Sequence, residues 1–178
     1  MNGAARYGGP AIALHWLCAL LIVAAVAVGA WMTGLPNGIG KLKLYNGHKW
    51  IGATVLALSL LRLAWRATHA PPPLPPMARG QARAAAAVQA ALLALGLAVP
   101  LLGWAYSSAS GYPLVWLGLL PLPDWVPQDR ELAAALKPWH GRAAWLLVAL
   151  ATLHGAAALK HQFVDRDGLL ARMAPWRR

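Results

Sequence analysis

HGRAAWLLVALATLH, residues 140–154, is an apolar run closed at both ends by histidine. Arg142 is its only charge, and it lies within a longer apolar segment from about Pro138 to Lys160. A helix needs about 20 such residues to cross the hydrocarbon layer of a bilayer. The two histidines are 14 residues apart. In a helix that is about 21 Å of rise with a difference of only about 40° around the axis. Both side chains can therefore face one interior, at two different depths.

Three more segments have the same character, at about residues 11–32, 48–66 and 84–106. Pro10 suits the first turn of the first, and Pro100 should kink the third. The expected fold is an all-α, integral membrane four-helix bundle forming a single domain over 1–178. Between the spans, residues 71–76 are proline-rich and read as a stiff, extended linker. Residues 111–123 are apolar but broken by prolines, and are expected to lie at the interface without spanning. The first run is too long for a cleavable leader and lacks a clean A-x-A site, so it is expected to stay as the first span.

Composition agrees with the spans. Hydrophobic residues make up 59% of the 178-residue chain and charged ones only 12%, against roughly 25% in soluble domains. Lys and Arg outnumber Asp and Glu by 16 to 5. A nucleic-acid binder would gather that excess on one solvated patch, whereas here it falls in short runs between apolar stretches, so no nucleic acid is expected. Those runs act instead as topology signals. Nine basic residues (Arg6, Arg66, Arg79, Arg83, Lys160, Arg166, Arg172, Arg177, Arg178) fall on one side and six (Lys41, Lys43, Lys49, Arg130, Lys137, Arg142) on the other. Both termini are expected to face the cytoplasm. The ten tryptophans, many near span ends, fit aromatic belts. The single cysteine, Cys18, excludes an internal disulfide, and there is no CxxCH motif for covalent haem attachment.

Four of the six histidines sort by depth into two pairs. His15 lies near the start of the first span and His154 near the end of the fourth. His48 and His140 open the second and fourth spans on the opposite side. One histidine in a span often just hydrogen-bonds a neighbouring helix. Zinc sites often add carboxylate or thiolate ligands, and proton relays commonly use Asp or Glu, but the spans contain neither Asp nor Glu. Two stacked sites, each closed by histidines from two helices, point to two non-covalent b-type haems with these four residues as axial iron ligands. Gly52, Gly141 and Gly155 stand beside the histidines, where a flat macrocycle needs gaps in side-chain cover, although small residues also serve ordinary helix packing. With both axial positions filled, outer-sphere electron transfer is expected in place of oxygen activation.

The motifs HW at 15–16, HKWIG at 48–52, RLAWR at 62–66, KPWH at 137–140 and LHGAAALKHQF at 153–163 together resemble the bacterial dihaem cytochrome b561 family over nearly the whole chain. The resemblance implies one haem on His15 and His154 and another on His48 and His140, the pairs already set by depth. It also implies membrane electron transfer. In that family the activity is superoxide oxidation with ubiquinone as acceptor, or electron carriage for a partner dehydrogenase or hydrogenase, and the ligands do not discriminate between these.

Other residues take expected roles within that scheme. Lys41, Lys43 and Lys49 precede or adjoin His48 and would steer superoxide, or else neutralise propionates or contact headgroups. Arg62, inside the second span without a carboxylate partner there, would pair with a haem propionate or snorkel to the interface. His161, seven residues beyond His154, would serve a quinone, with Arg6 near it in depth; otherwise it is a solvated interfacial side chain. His69, among prolines, reads as ordinary surface. Membrane lipid, quinone and superoxide are the expected partners, and a protein redox partner is possible.

Overall fold

The computed structural model describes residues 6–73 and 77–175. Within them four long helices follow the chain: α1 (Gly9–Thr33), α2 (Ile39–Thr68), α3 (Arg79–Ala109) and α4 (Arg130–Lys160). All four are long and apolar enough to cross a membrane. α1 packs on α2, α2 on α3 and α3 on α4, in up-down-up-down order. Between α3 and α4 lies a two-stranded antiparallel hairpin, β1 (Leu114–Trp116) and β2 (Leu120–Leu122). The bundle thus has a hairpin end and a tail end, the latter carrying the residues after α4. Residues 74–76 of the expected proline linker lie outside the described residues, as do Arg177 and Arg178.

The helix starts differ from the sequence expectation, and the cause is local. α2 begins at Ile39 behind Gly38, and α4 at Arg130 behind Asp129. The Asp129 side chain accepts hydrogen bonds from the Glu131 and Leu132 amides at 2.8 and 3.0 Å, an N-cap with Glu131 in the first turn. Both helices therefore extend beyond their apolar stretches. His48 and His140 do not open their helices but sit more than two turns inside them. α1 starts close to expectation, with Pro10 in its first turn. α3 continues through Pro100, whose missing N–H leaves the Gly96 carbonyl without its helical donor.

Small residues set the helix spacing. At the α2–α3 crossing a Cβ on Gly96 would come within 3.0 Å of the Ser59 hydroxyl, a close approach of the kind that drives helix association in lipid. The largest fully buried side chains among the described residues are Cys18, Ser59 and Ser108.

At the tail end the chain folds back on the start of α1. The Tyr7 amide donates to the Arg172 carbonyl at 3.2 Å, and the Trp16 indole N–H donates to the Met173 carbonyl at 2.7 Å. The Arg6 guanidinium donates to the Ala174 carbonyl, and buried Arg172 lies over the Tyr7 ring. The link from α4 to this tail is one wide π-helical turn, His161–Asp165, followed by Arg166 at φ 54°. Single turns of that kind are frequent at functional sites.

Candidate functional site: two facing histidine pairs

His48 of α2 faces His140 of α4 with ring centroids 6.1 Å apart and planes at 88°. His15 of α1 faces His154 of α4 at 6.2 Å and 70°. A metal–imidazole bond of about 2 Å on each side of one ion, with the two ring radii added, spans about 6 Å. Both separations fit one iron held between the rings. Helix α4 supplies one histidine to each pair. The sequence spacing placed its two histidines on one face, and the structure brings that face against α1 at one depth and α2 at the other.

At the hairpin end each histidine is held by a matching device. The His48 Nδ1–H donates to the Ala25 carbonyl of α1 at 3.0 Å. The His140 Nδ1–H donates to the Val99 carbonyl of α3, also at 3.0 Å. Four residues beyond each of these carbonyls stands a glycine. A Cβ on Gly29 would lie 3.0 Å from His48 Cε1, and one on Gly103 would lie 2.9 Å from His140 Cε1. The residue at i+4 overhangs carbonyl i on a helix face, so only glycine lets a neighbouring imidazole reach it. The bond fixes each tautomer with Nε2 as the free acceptor, the outer-shell arrangement that orients metal-binding histidines.

Sequence reasoning missed Gly29 and Gly103, whose signal was a glycine on a neighbouring span at histidine depth. The glycines it did single out face open space: a Cβ on Gly52, Gly141 or Gly155 would meet no atom within 4 Å.

Arg62 of α2 lies within Coulombic reach of both His15 and His154, and no carboxylate pairs with it among the described residues. The hairpin-end lysines are divided. Lys41 donates to the Leu35 carbonyl at 2.9 Å and Lys49 to the Pro113 carbonyl at 2.9 Å, while Lys43 is exposed. Trp31, Asn37, Lys41 and Lys43 line a cleft of about 550 Å³.

At the tail end His161 is buried, in contrast to a solvated interfacial side chain. Its Nδ1–H donates to Asp167 at 2.5 Å, and its Nε2 lies 3.3 Å from the Gln81 amide nitrogen of α3. Partial desolvation works to raise the Asp167 carboxyl, but the bonds from the Leu169 amide and from His161 prevail and hold it below the usual carboxylate range. Asp165 stands 3.3 Å from His161 and is paired with Lys160 at 2.6 Å. Gln81 and Asp167 were not legible in the sequence, because one comes from the start of α3 and the other from beyond the π-helical turn. Arg6 is engaged with the tail. His69 is exposed and stacks on Trp65 with centroids 3.7 Å apart.

Comparison with known proteins agrees with this geometry. Residues 6–176 match the family described as prokaryotic cytochrome b561. "Cytochrome b561 homolog 2" of Escherichia coli K12 is 36% identical over 180 residues, covering 97% of this chain and 93% of its own length. "Cytochrome b561 homolog 1" of the same organism is 30% identical, covering 97% and 99%. "Probable superoxide oxidase CybB" of Yersinia pestis is 28% identical, covering 97% and 98%. The chain belongs to the prokaryotic cytochrome b561 family, a multi-pass inner-membrane protein whose helical bundle binds haem b and transfers electrons.

Proposed function

We propose that the protein carries two haems b, one on His15 and His154 and the other on His48 and His140. We further propose that it moves electrons from the hairpin end to the tail end, oxidising superoxide and reducing ubiquinone. The observation that carries this reading is the pair of histidine couples, each at about 6 Å, set at the two depths of one helix. The bound haems supply one-electron couples. The four histidines would hold the irons, and a haem held by two histidines would favour outer-sphere transfer.

The excess of basic residues at the tail end supports a cytoplasmic position for both termini. The hairpin end then faces the periplasm. Two superoxide anions give up one electron each there and leave as dioxygen. One ubiquinone takes both electrons and two protons at the tail end. Lys41 and Lys43, lining their cleft, and Lys49 at the hairpin present positive charge to an approaching anion. Arg62 is placed to balance a propionate of the haem on His15 and His154.

Purified protein mixed with an enzymatic superoxide source should show immediate haem reduction that superoxide dismutase abolishes. Raising the ionic strength, or changing Lys41, Lys43 and Lys49 to Gln together, should slow the reduction roughly tenfold. Reduction that occurs only with an added protein donor would replace this reading with that of an electron-transfer subunit. A rate indifferent to salt and to the three substitutions would remove the steering role.

The proton side rests on His161. The Asp167 carboxylate accepts from the His161 Nδ1–H and orients the ring, and the Gln81 amide lies against its other nitrogen. A His–carboxylate dyad of this kind can pass a proton to a reduced quinone oxygen. Arg6 contributes by fixing the tail that carries Asp167. Changing His161 to Ala should slow ubiquinone reduction by roughly 10²-fold while leaving superoxide-driven haem reduction at its parental rate. Equal quinone kinetics in both proteins would exclude this role.

A further inference from the structure

We infer that the β1–β2 hairpin dips into the edge of the lipid hydrocarbon layer, seating Leu117, Leu119 and Leu120 among acyl chains. Three contacts place the hairpin along α2. Lys49 reaches the Pro113 carbonyl at 2.9 Å, the Trp50 indole N–H donates to the Val115 carbonyl at 2.5 Å, and the Trp116 indole N–H donates to the Thr54 hydroxyl at 3.1 Å. Strand β1 thus descends beside α2 from the level of Lys49 towards Thr54. Lys49 is the last charge on α2 before Arg62, and Thr54 lies about 7 Å further along the axis. The hairpin lies where α2 has already become uncharged.

The hairpin's chemistry suits that depth. No charged residue occurs between Ser107 and Pro123. Leu119 is 84% exposed, and Leu117 and Leu120 are about half exposed. Leu117 has φ 54° and is followed by Gly118 at φ 73°, with the Leu119 amide donating to the Trp116 carbonyl across the turn. A turn of this kind in water favours Asn, Asp or Gly at its first central position. Leucine there accepts backbone strain in order to present an apolar side chain at the tip.

Backbone polarity, the usual obstacle to non-helical chain in lipid, is managed. β1 is covered by α2 and α3, and its Val115 carbonyl takes both the Trp50 indole and the Gly118 amide. On the outer strand, Pro121 pairs with Val115 and has no N–H to leave unpaired on the free edge. Trp50 and Trp116 at the contact belong to the residue type enriched where lipid meets water.

The test uses the full-length cytochrome, with Cys18→Ser, in nanodiscs holding a single copy so that no second copy can shield the tip. Leu119→Cys and, separately, Leu120→Cys are reacted with a charged thiol reagent and with an uncharged, lipid-soluble maleimide. Glu131→Cys, on an exposed first turn of α4 at the same end, is the water-exposed reference. A charged reagent is excluded from apolar surroundings that an uncharged one enters freely, so it should label both tip cysteines roughly tenfold or more slower than the reference. The lipid-soluble maleimide should still label them. Tip cysteines as fast as the reference with the charged reagent would put the tip in water, and protection from both reagents would put it under protein. Either result overturns the inference.

Discussion

Protein with Ala in place of His140 should be purified with half the haem of the parent, because the proposed ligand pair of His48 and His140 is broken while that of His15 and His154 stays intact. The reduced-minus-oxidised spectrum and extracted haem per chain measure this directly. The pairing adds a sharper requirement. His48→Ala should remove the same haem, and the His48→Ala/His140→Ala double variant should lose no more than either single one, the non-additivity expected of two residues serving one site. His15→Ala combined with His140→Ala should empty the protein. If His140→Ala retains the full load, or if its loss adds to that of His48→Ala, the assignment of ligands to pairs is wrong.

A comparable loss should follow from adding a side chain that touches no iron. Valine at Gly103 would intrude on His140 Cε1, since even its first carbon falls at 2.9 Å. The imidazole must then leave the Val99 carbonyl, losing the bond that fixes its tautomer and angle. Loss of such an outer-shell partner typically costs 10–100-fold in metal affinity, and here steric displacement is added to it. Gly103→Val should therefore approach His140→Ala in haem content, and Gly29→Val should do the same through His48. Gly40→Ala, where an added Cβ meets nothing within 4 Å, should keep both haems. A Gly103→Val protein with full haem content and an unchanged midpoint potential would show that the close approach has no bearing on the site.

Much of this arrangement was visible in the chain before any coordinates. The four spans follow from apolar length. The two histidine pairs follow from depth, because in a straight membrane helix sequence position is position across the bilayer. That reasoning does not extend to helix ends. Apolarity marks where lipid begins, whereas the start of α4 is set by the Asp129 cap, eight residues before the expected boundary at Pro138. Nor does it reach contacts between distant segments. Gly29 and Gly103 look like ordinary packing glycines until a histidine from another helix is placed against them. His161 acquires its meaning from Gln81, which lies 80 positions away. Residues 111–123 were legible as a segment that does not span, but not as strands, since proline-broken apolar stretches of that length carry no clear periodicity.

Both pairs take one member from α4, the last of the four helices to be made, and this has a consequence for biogenesis. A ribosome delivering the chain from its N-terminus inserts α1, α2 and α3 with only one half of each clamp in the bilayer. On the proposed ligation, neither haem would be captured between two helices until the final span enters, so loading would follow insertion and serve as a check on complete synthesis. A nascent chain arrested before residue 140 offers no finished clamp at all.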